Sequence, residues 1–376
     1  MKYKALKDIA TITMGQSPDS SSYNEEENGI PFYQGNADFG ELYPTAKVWC
    51  DAPKKTAKEG DILISIRAPI GSLNYATEEC CIGRGLAAIT IENEAERNYV
   101  FHLLKAQNKE LNNKGTGSTF KAIGKSVLEY VQVPVISAEQ QELSMKLMDT
   151  IEQIIRQRKQ ELAALDELIK ARFVEMFGDP IKNPKGWEVV TVGDVVKEVR
   201  YGTSKPAVEG GKYPYLRMNN ITADGHLDLN DLKYIDIPDD EIEKCVVRKG
   251  DILFNRTNSI ELVGKTTVFD LPEDMVIAGY IIRVRLYERL LPEVLSQYMN
   301  LEALKDILRS MAKGAVNQAN INAQELQSIK VYIPDMELQK QFVAMKEQVN
   351  KSKVAVQKAL DETQLLFNSL MQEYFG

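Results

Sequence analysis

Histidine is almost missing from this 376-residue chain, which has only His102 and His226, and its cysteines are four: Cys50, Cys80, Cys81 and Cys245. No CxxC spacing occurs and neither histidine lies near a cysteine in sequence, so neither a zinc site nor a disulfide framework is indicated. A Ser/His/Asp or Cys/His arrangement is lacking as well. There is no run of eighteen apolar residues and no signal-peptide pattern, which predicts a soluble, cytoplasmic protein with no membrane partner. A basic excess is also missing. The net charge is −8; residues 1–127 carry 15 basic and 16 acidic groups, and residues 188–325 carry 17 and 22. Any nucleic-acid binding must then segregate Lys and Arg onto one face, or borrow attraction from basic partners.

Motifs for nucleotide chemistry fail in detail. GKS at Gly124–Ser126 and GKT at Gly264–Thr266 look like phosphate loops, but the motif needs a glycine five residues earlier, where Thr119 and Ser259 stand. A glycine-rich cofactor loop after a strand is absent, as is the Asn/Asp-Pro-Pro-aromatic motif of adenine methyltransferases; Asn183-Pro184-Lys185 fails at the second proline. The expectation is a chain with no catalysis and no cofactor of its own. The first repeat described below begins at the first residues, so no catalytic domain is expected ahead of it.

What the chain does contain is a copy of itself. IPFYQGN (Ile30–Asn36) aligns with YPYLRMN (Tyr213–Asn219) at an offset of 183, and EGDILIS from Glu59 aligns with KGDILFN from Lys249 at 190. The offset reaches 198 at Leu128/Leu326 and holds through Phe177-Gly178/Phe375-Gly376. A growing and then constant offset means loops of differing length in front and an element of fixed length behind. That element reads as a helix of about forty residues, roughly 60 Å at 1.5 Å per residue. A mostly apolar seam at 3,4 spacing in the first copy runs through Leu147, Ile151, Ile154, Arg158, Leu162, Leu165, Ile169, Arg172 and Met176, interrupted by the two arginines. In the second it runs through Met345, Val349, Ser352, Val356, Leu360, Thr363, Phe367, Leu370 and Tyr374. The steps match, including one irregular step, which predicts two helices pairing as an antiparallel coiled coil; packing of each helix on its own domain is the alternative. Arg158 and Arg172 read as long stems lying along the seam, or as docking points for a partner.

The front parts hold β-rich runs, DILISI (Asp61–Ile66), LAAITI (Leu86–Ile91) and YIIRVRL (Tyr280–Leu286), with helices near Tyr99–Leu111 and Pro292–Met311. The fold class is mixed α/β: two tandem recognition domains, each followed by a long helix, related by a pseudo-twofold. The domains are expected at 1–136 and 179–334, and the helices at 137–178 and 335–376.

MFGDPIKNPKGW (Met176–Trp187), RKGDILFNRTNSIELVGKTTVF (Arg248–Phe269) and NQANINAQELQSIKVYIPDMELQ (Asn317–Gln339) occur in this order around the duplication. In these segments the chain resembles the specificity subunits of Type I restriction–modification enzymes, over its whole length. The resemblance implies that each globular unit binds one half of a split, asymmetric double-stranded DNA target, with the paired helices as a ruler between them. It further implies two methyltransferase subunits and, in the complete enzyme, restriction/translocase subunits as partners. S-adenosylmethionine, ATP and Mg would be used by those partners.

Base and phosphate contacts call for Arg, Lys, amides and hydroxyls on loops that reach a groove. Four loop pairs supply them: Gln16 and Ser17 against Tyr201, Thr203 and Lys205; Gln34 and Asn36 against Arg217, Asn219 and Asn220; Arg67 against Arg256 and Asn258; Ser118 and Lys121 against Asn317 and Gln318. Arg84 adds a further cation. Arg67 and Arg256, each following a GDIL run, are the strongest candidates for DNA contact. Glycines and asparagines in these loops could equally serve turns, and hydroxyls could cap helices.

Overall fold

The computed structural model describes residues 2–117, 121–315 and 318–375. The chain divides into two compact units, one made of residues 1–159 with 358–376 and the other of 160–357. Each is built on the same plan.

In the first unit, strands β1 (Thr11–Met14), β2 (Ile30–Tyr33), β3 (Ile62–Ser65), β4 (Leu73–Tyr75), β5 (Cys80–Ile82) and β6 (Leu86–Thr90) form the body of two sheets. One is antiparallel in the order β1-β6-β3-β4; in the other, β2 pairs in parallel with β5. Helix α1 (Glu94–Ala106) follows, its first turn capped by the Asn93 side chain, which accepts from the Glu96 amide at 3.0 Å. The long helix α2 (Ala138–Phe177) runs from this unit into the other.

In the second unit, β7 (Val196–Tyr201), β8 (Tyr213–Leu216), β9 (Ile252–Asn255), β10 (Thr266–Val268), β11 (Met275–Ile277) and β12 (Ile281–Leu286) repeat the arrangement. The antiparallel order is β7-β12-β9-β10, and β8 pairs in parallel with β11. Helices α3 (Pro292–Met299, with proline in its first turn) and α4 (Glu302–Met311) come next, and α5 (Met336–Phe375) ends the chain. Among the described residues no helix is long and apolar enough to cross a membrane.

The repeated Gly-Asp before β3 and β9 has a local cause. Gly60 and Gly250 sit at φ of 81° and 92°, which favour glycine, and the next aspartates close the turn by accepting from the amides of Lys58 and Arg248, both at 2.9 Å. The following strands bury both faces, which is why they read as unbroken apolar runs. Leu253 packs toward the second sheet with Leu216 and Ile277, while Ile252 and Phe254 on the opposite face join the core beneath the helices.

Neither long helix contains glycine or proline. The first ends at Gly178 (φ 88°), where Lys185 Nζ donates to the carbonyls of Glu175 and Met176 and the Trp187 indole donates to that of Phe177. Their apolar stripe is wider than the predicted seam. Leu147, Ile154, Arg172 and Met176 are only half-buried, and the residues after them, Met148, Ile155, Phe173 and Phe177, are fully buried; Leu370 and Tyr374 stand likewise beside buried Met371 and Phe375. Each helix has two neighbours to cover. Within the second unit Phe173 meets both Phe342 of α5 and Tyr298 of α3. Phe177 also meets Phe342, whereas Lys353, further along α5, pairs with Asp166, earlier in α2, so the contacting stretches run antiparallel.

Candidate nucleic-acid interface

Strand register brings loops distant in sequence to one edge. Strand β6 is antiparallel to both β1 and β3, so its start at Leu86 lies beside their ends, Met14 and Ser65. Strand β5 is parallel to β2, so both end together at Ile82 and Tyr33. The turn from β5 to β6, Gly83–Gly85, therefore meets three loops at once. Backbone bonds lock the junction: Gly15 N to Leu86 O (2.9 Å), Gln16 N to Ile82 O (2.9 Å), Gly83 N to Tyr33 O (2.8 Å) and Ile66 N to Gly85 O (2.9 Å). A Cβ at Gly15 would lie 2.1 Å from the Gly83 carbonyl, and one at Gly85 would lie 2.2 Å from that of Gln34, so both positions require glycine.

This pinch collects Ser17, Gln34, Asn36, Arg67 and Arg84 around one recess of about 200 Å³. Ser17 Oγ faces the Arg84 amide at 3.4 Å, and Gln16 is exposed beside it. Lys121 is exposed beside the Arg67 strand end, with the Ala68 amide donating to the Lys121 carbonyl at 3.2 Å and Ala122 bridging Arg67. Ser118 and Asn317 lie outside the described residues. Arg67 and Arg84 are both exposed, and no salt bridge engages either one among the described residues.

The second unit repeats the pinch with different side chains. Gly202 N donates to Ile281 O (3.1 Å), Thr203 N to Ile277 O (2.9 Å) and Arg256 N to Tyr280 O (2.9 Å). Here the cations are engaged. Arg217 pairs with Asp231 at 2.6 Å and Lys205 with Glu241 at 2.8 Å; hydrogen bonds from Arg217 and then Lys233 hold Asp231 below the ordinary carboxylate range, and the bond from Lys205 does the same for Glu241. The Arg256 guanidinium lies 5.0 Å above the centre of the Tyr201 ring, while the Tyr201 hydroxyl accepts from the Ala323 amide. Asn219 and Gln318 are exposed, Asn258 spans to Asn255 at 2.9 Å, and Thr203 Oγ1 accepts from the Lys205 amide.

One expectation is corrected, and one pairing is refined. Asn220 is 2% exposed, accepts from the Arg217 amide and donates to the Asp228 carbonyl, so its amide forms the turn and is not offered to a ligand. Arg67 and Arg256 are not equivalent positions. The bond Ile123 N to Ile66 O recurs as Ile321 N to Arg256 O, which matches Ile66 to Arg256 and Arg67 to Thr257. A shift of one residue therefore separates the positions of the two arginines at the strand end.

Sequence reasoning missed the residues that shape these loops. Ser65 donates to the Pro69 carbonyl (2.6 Å) and accepts from the Ser72 amide, and Asn255, fully buried at the matching position, holds Thr257, Asn258 and Tyr280. The available signal was a polar residue ending an apolar strand. Lys265, from the failed GKT motif, is buried and donates to the carbonyls of Met218 and Ile221, bracing the loop that carries Asn219; burial holds its pKa below the ordinary lysine value. Tyr280, exposed where the first unit has Gly85, was also overlooked.

One carboxylate–histidine cluster with metal-ligand spacing occurs among the described residues: Asp166, Asp224 and His226. Lys353 already pairs with Asp166 and lies 3.0 Å from His226 Nε2, so an ammonium occupies the place a cation would take. All four cysteines are buried as free thiols.

Comparison with known proteins follows the same lines. The sequence profile described as the Type I restriction modification DNA specificity domain matches residues 1–165 and again 184–363. The chain is 21% identical over 350 residues to the EcoKI specificity subunit of Escherichia coli K12, covering 85% of this chain and 75% of that one. It is 41% identical over 160 residues to a Methanocaldococcus jannaschii protein named for the MjaX type I restriction enzyme specificity subunit, covering 42% of this chain and only 38% of that protein. The fold is similar to that of the S subunit of a Type I system from M. genitalium, with a TM-score of 0.56 at 14% identity, covering 100% of this chain and 96% of that one. It is also similar to a chain from a structural study of type I R-M complex assembly, at 0.62 and 20% identity, covering 100% and 97%.

Proposed function

This chain belongs to the Type I restriction–modification DNA specificity family, and from that premise we propose that it is the sequence-reading subunit of such an enzyme. Each unit reads one half of a bipartite, asymmetric double-stranded target, with the long helices as the spacer. The chain itself has no catalytic role. Two methyltransferase subunits dock on it and use S-adenosylmethionine; restriction/translocase subunits using ATP and Mg complete the cutting enzyme.

The observation that carries this reading is the convergence, in each unit, of polar loop residues at one sheet edge around a backbone fixed by strand register. A rigid frame with variable polar tips is what base readout requires, since base contacts specify only if their donors are held in place. The test is methylation. The purified chain should transfer no methyl group from S-adenosylmethionine, and with its methyltransferase partner it should direct adenine methylation to a two-part target. Methyl transfer by the isolated chain, or methylation by the complex without regard to sequence, would overturn the proposal.

A further inference from the structure

We propose that the half-site read by the first unit contains a G·C pair whose guanine is recognised from the major groove by Arg67 and Arg84. The inference rests on the reading of the chain as a specificity subunit and adds the chemistry of one half of its ligand.

Arg67 and Arg84 come from different loops, the first following β3 and the second in the β5–β6 turn, yet both line the recess shared with Ser17, Gln34 and Asn36. Neither guanidinium is paired with a carboxylate among the described residues, although the chain as a whole is acidic. Most cations at the matching edge of the second unit are neutralised or stacked: Arg217 by Asp231, Lys205 by Glu241, Arg256 on Tyr201. Two exposed arginines that line one recess with no carboxylate partner among the described residues point to an acceptor-rich ligand.

Phosphate and guanine are both acceptor-rich, and the neighbours decide between them. Gln34 and Asn36 each present an amide that donates and accepts, a combination suited to base edges and wasted on a phosphate, which only accepts. Guanine offers N7 and O6 side by side, the pattern a planar guanidinium matches with two bonds. The frame beneath is stiff: the Gly15 and Gly85 contacts and the four backbone bonds fix where each tip starts, so little backbone freedom is lost on binding. In the second unit the same frame carries Gly279 in the turn where Arg84 stands and Thr257 where Arg67 stands, so this pair of arginines belongs to the first unit alone.

The experiment uses the complete complex of this chain with its methyltransferase subunits, whose target is first determined by single-molecule sequencing of methylated DNA. Arg67→Gln and Arg84→Gln are then compared on the target and on every single-base variant of it. The expected result is a loss of discrimination at a guanine in one half-site, by about 5- to 150-fold for the loss of a bidentate contact, with the other half-site unchanged. Thermal midpoints equal to the parent's establish that both variants fold. Uniform weakening on all sequences with no change in base preference would assign the arginines to phosphates and overturn the proposal, as would relaxation at a position that is not G·C. Absence of sequence-directed methylation by the unaltered complex is a different result, and it would overturn the specificity reading itself.

Discussion

Lys265 shows how one side chain can matter to a loop it does not belong to. It is 6% exposed, and its ammonium donates to the carbonyls of Met218 and Ile221, on either side of Asn219 and Asn220. Lys265→Met keeps the stem and removes the donor, leaving two carbonyls unmatched, and is expected to cost about 2–4 kcal/mol in urea denaturation. The pH dependence has a definite sign. Burial lowers the pKa of Lys265 in the folded protein, so the unfolded chain binds more protons as pH rises toward the ordinary value of 10.5. The parent should therefore gain stability relative to Lys265→Met over that alkaline range, and a difference that shrinks instead would show that Lys265 is not desolvated. Nothing in the sequence signalled this role, because GKT invites a phosphate reading and the true partners are backbone carbonyls some 45 residues away.

Among elements, the long helices were the most legible and their contacts the least. Periodicity over forty residues fixes a helix, yet the seam read from 3,4 spacing fell one position short at Phe173 and Phe177, because the stripe must cover a domain helix as well as the other long helix. Phe173, Phe177 and Phe342 form an edge-to-face cluster with centroids 4.8–5.4 Å apart. Phe342→Ala should destabilise the second unit by about 3–5 kcal/mol, since a buried aromatic leaves both lost transfer energy and a cavity. Val354, on the same helix but 71% exposed, provides the control: Val354→Ala should stay within about 0.5 kcal/mol. Equal effects of the two substitutions in chemical denaturation would mean that the aromatic cluster does not hold the helices.

For the whole molecule, the question is where one reading module ends. The first unit includes residues 358–376, and α1 is fastened to that tail: His102 stacks on Phe375, the Tyr99 hydroxyl donates to the Tyr374 carbonyl, and Lys105 bonds Glu152 at 2.5 Å while lying over Phe367. Exchange of residues 1–127 for the equivalent part of a related subunit should change one half-site in the methylome and leave the other intact. It should succeed only when Tyr99, His102 and Lys105, or residues that fit the same tail, are retained, and grafts that ignore them should give unstable protein. A change in both half-sites would show that the units do not read independently.

The sequence by itself determined the duplication, the Gly-Asp turns, the buried strands and the two long helices, because each depends on local conformational preference or on a periodic pattern that survives in one dimension. Of the interface it showed which loops are polar, and little more. Tertiary structure alone decided that β5 runs parallel to β2 and β6 antiparallel to β1 and β3, so that Arg84 lines the same recess as Arg67, Gln34 and Ser17, and that Asn220 is spent on a turn. It also placed the last nineteen residues with the N-terminal unit. Strand order and register are set by contacts between residues far apart in the chain, and a slip of one position reverses the face of every side chain, so neither can be read from the residues in line.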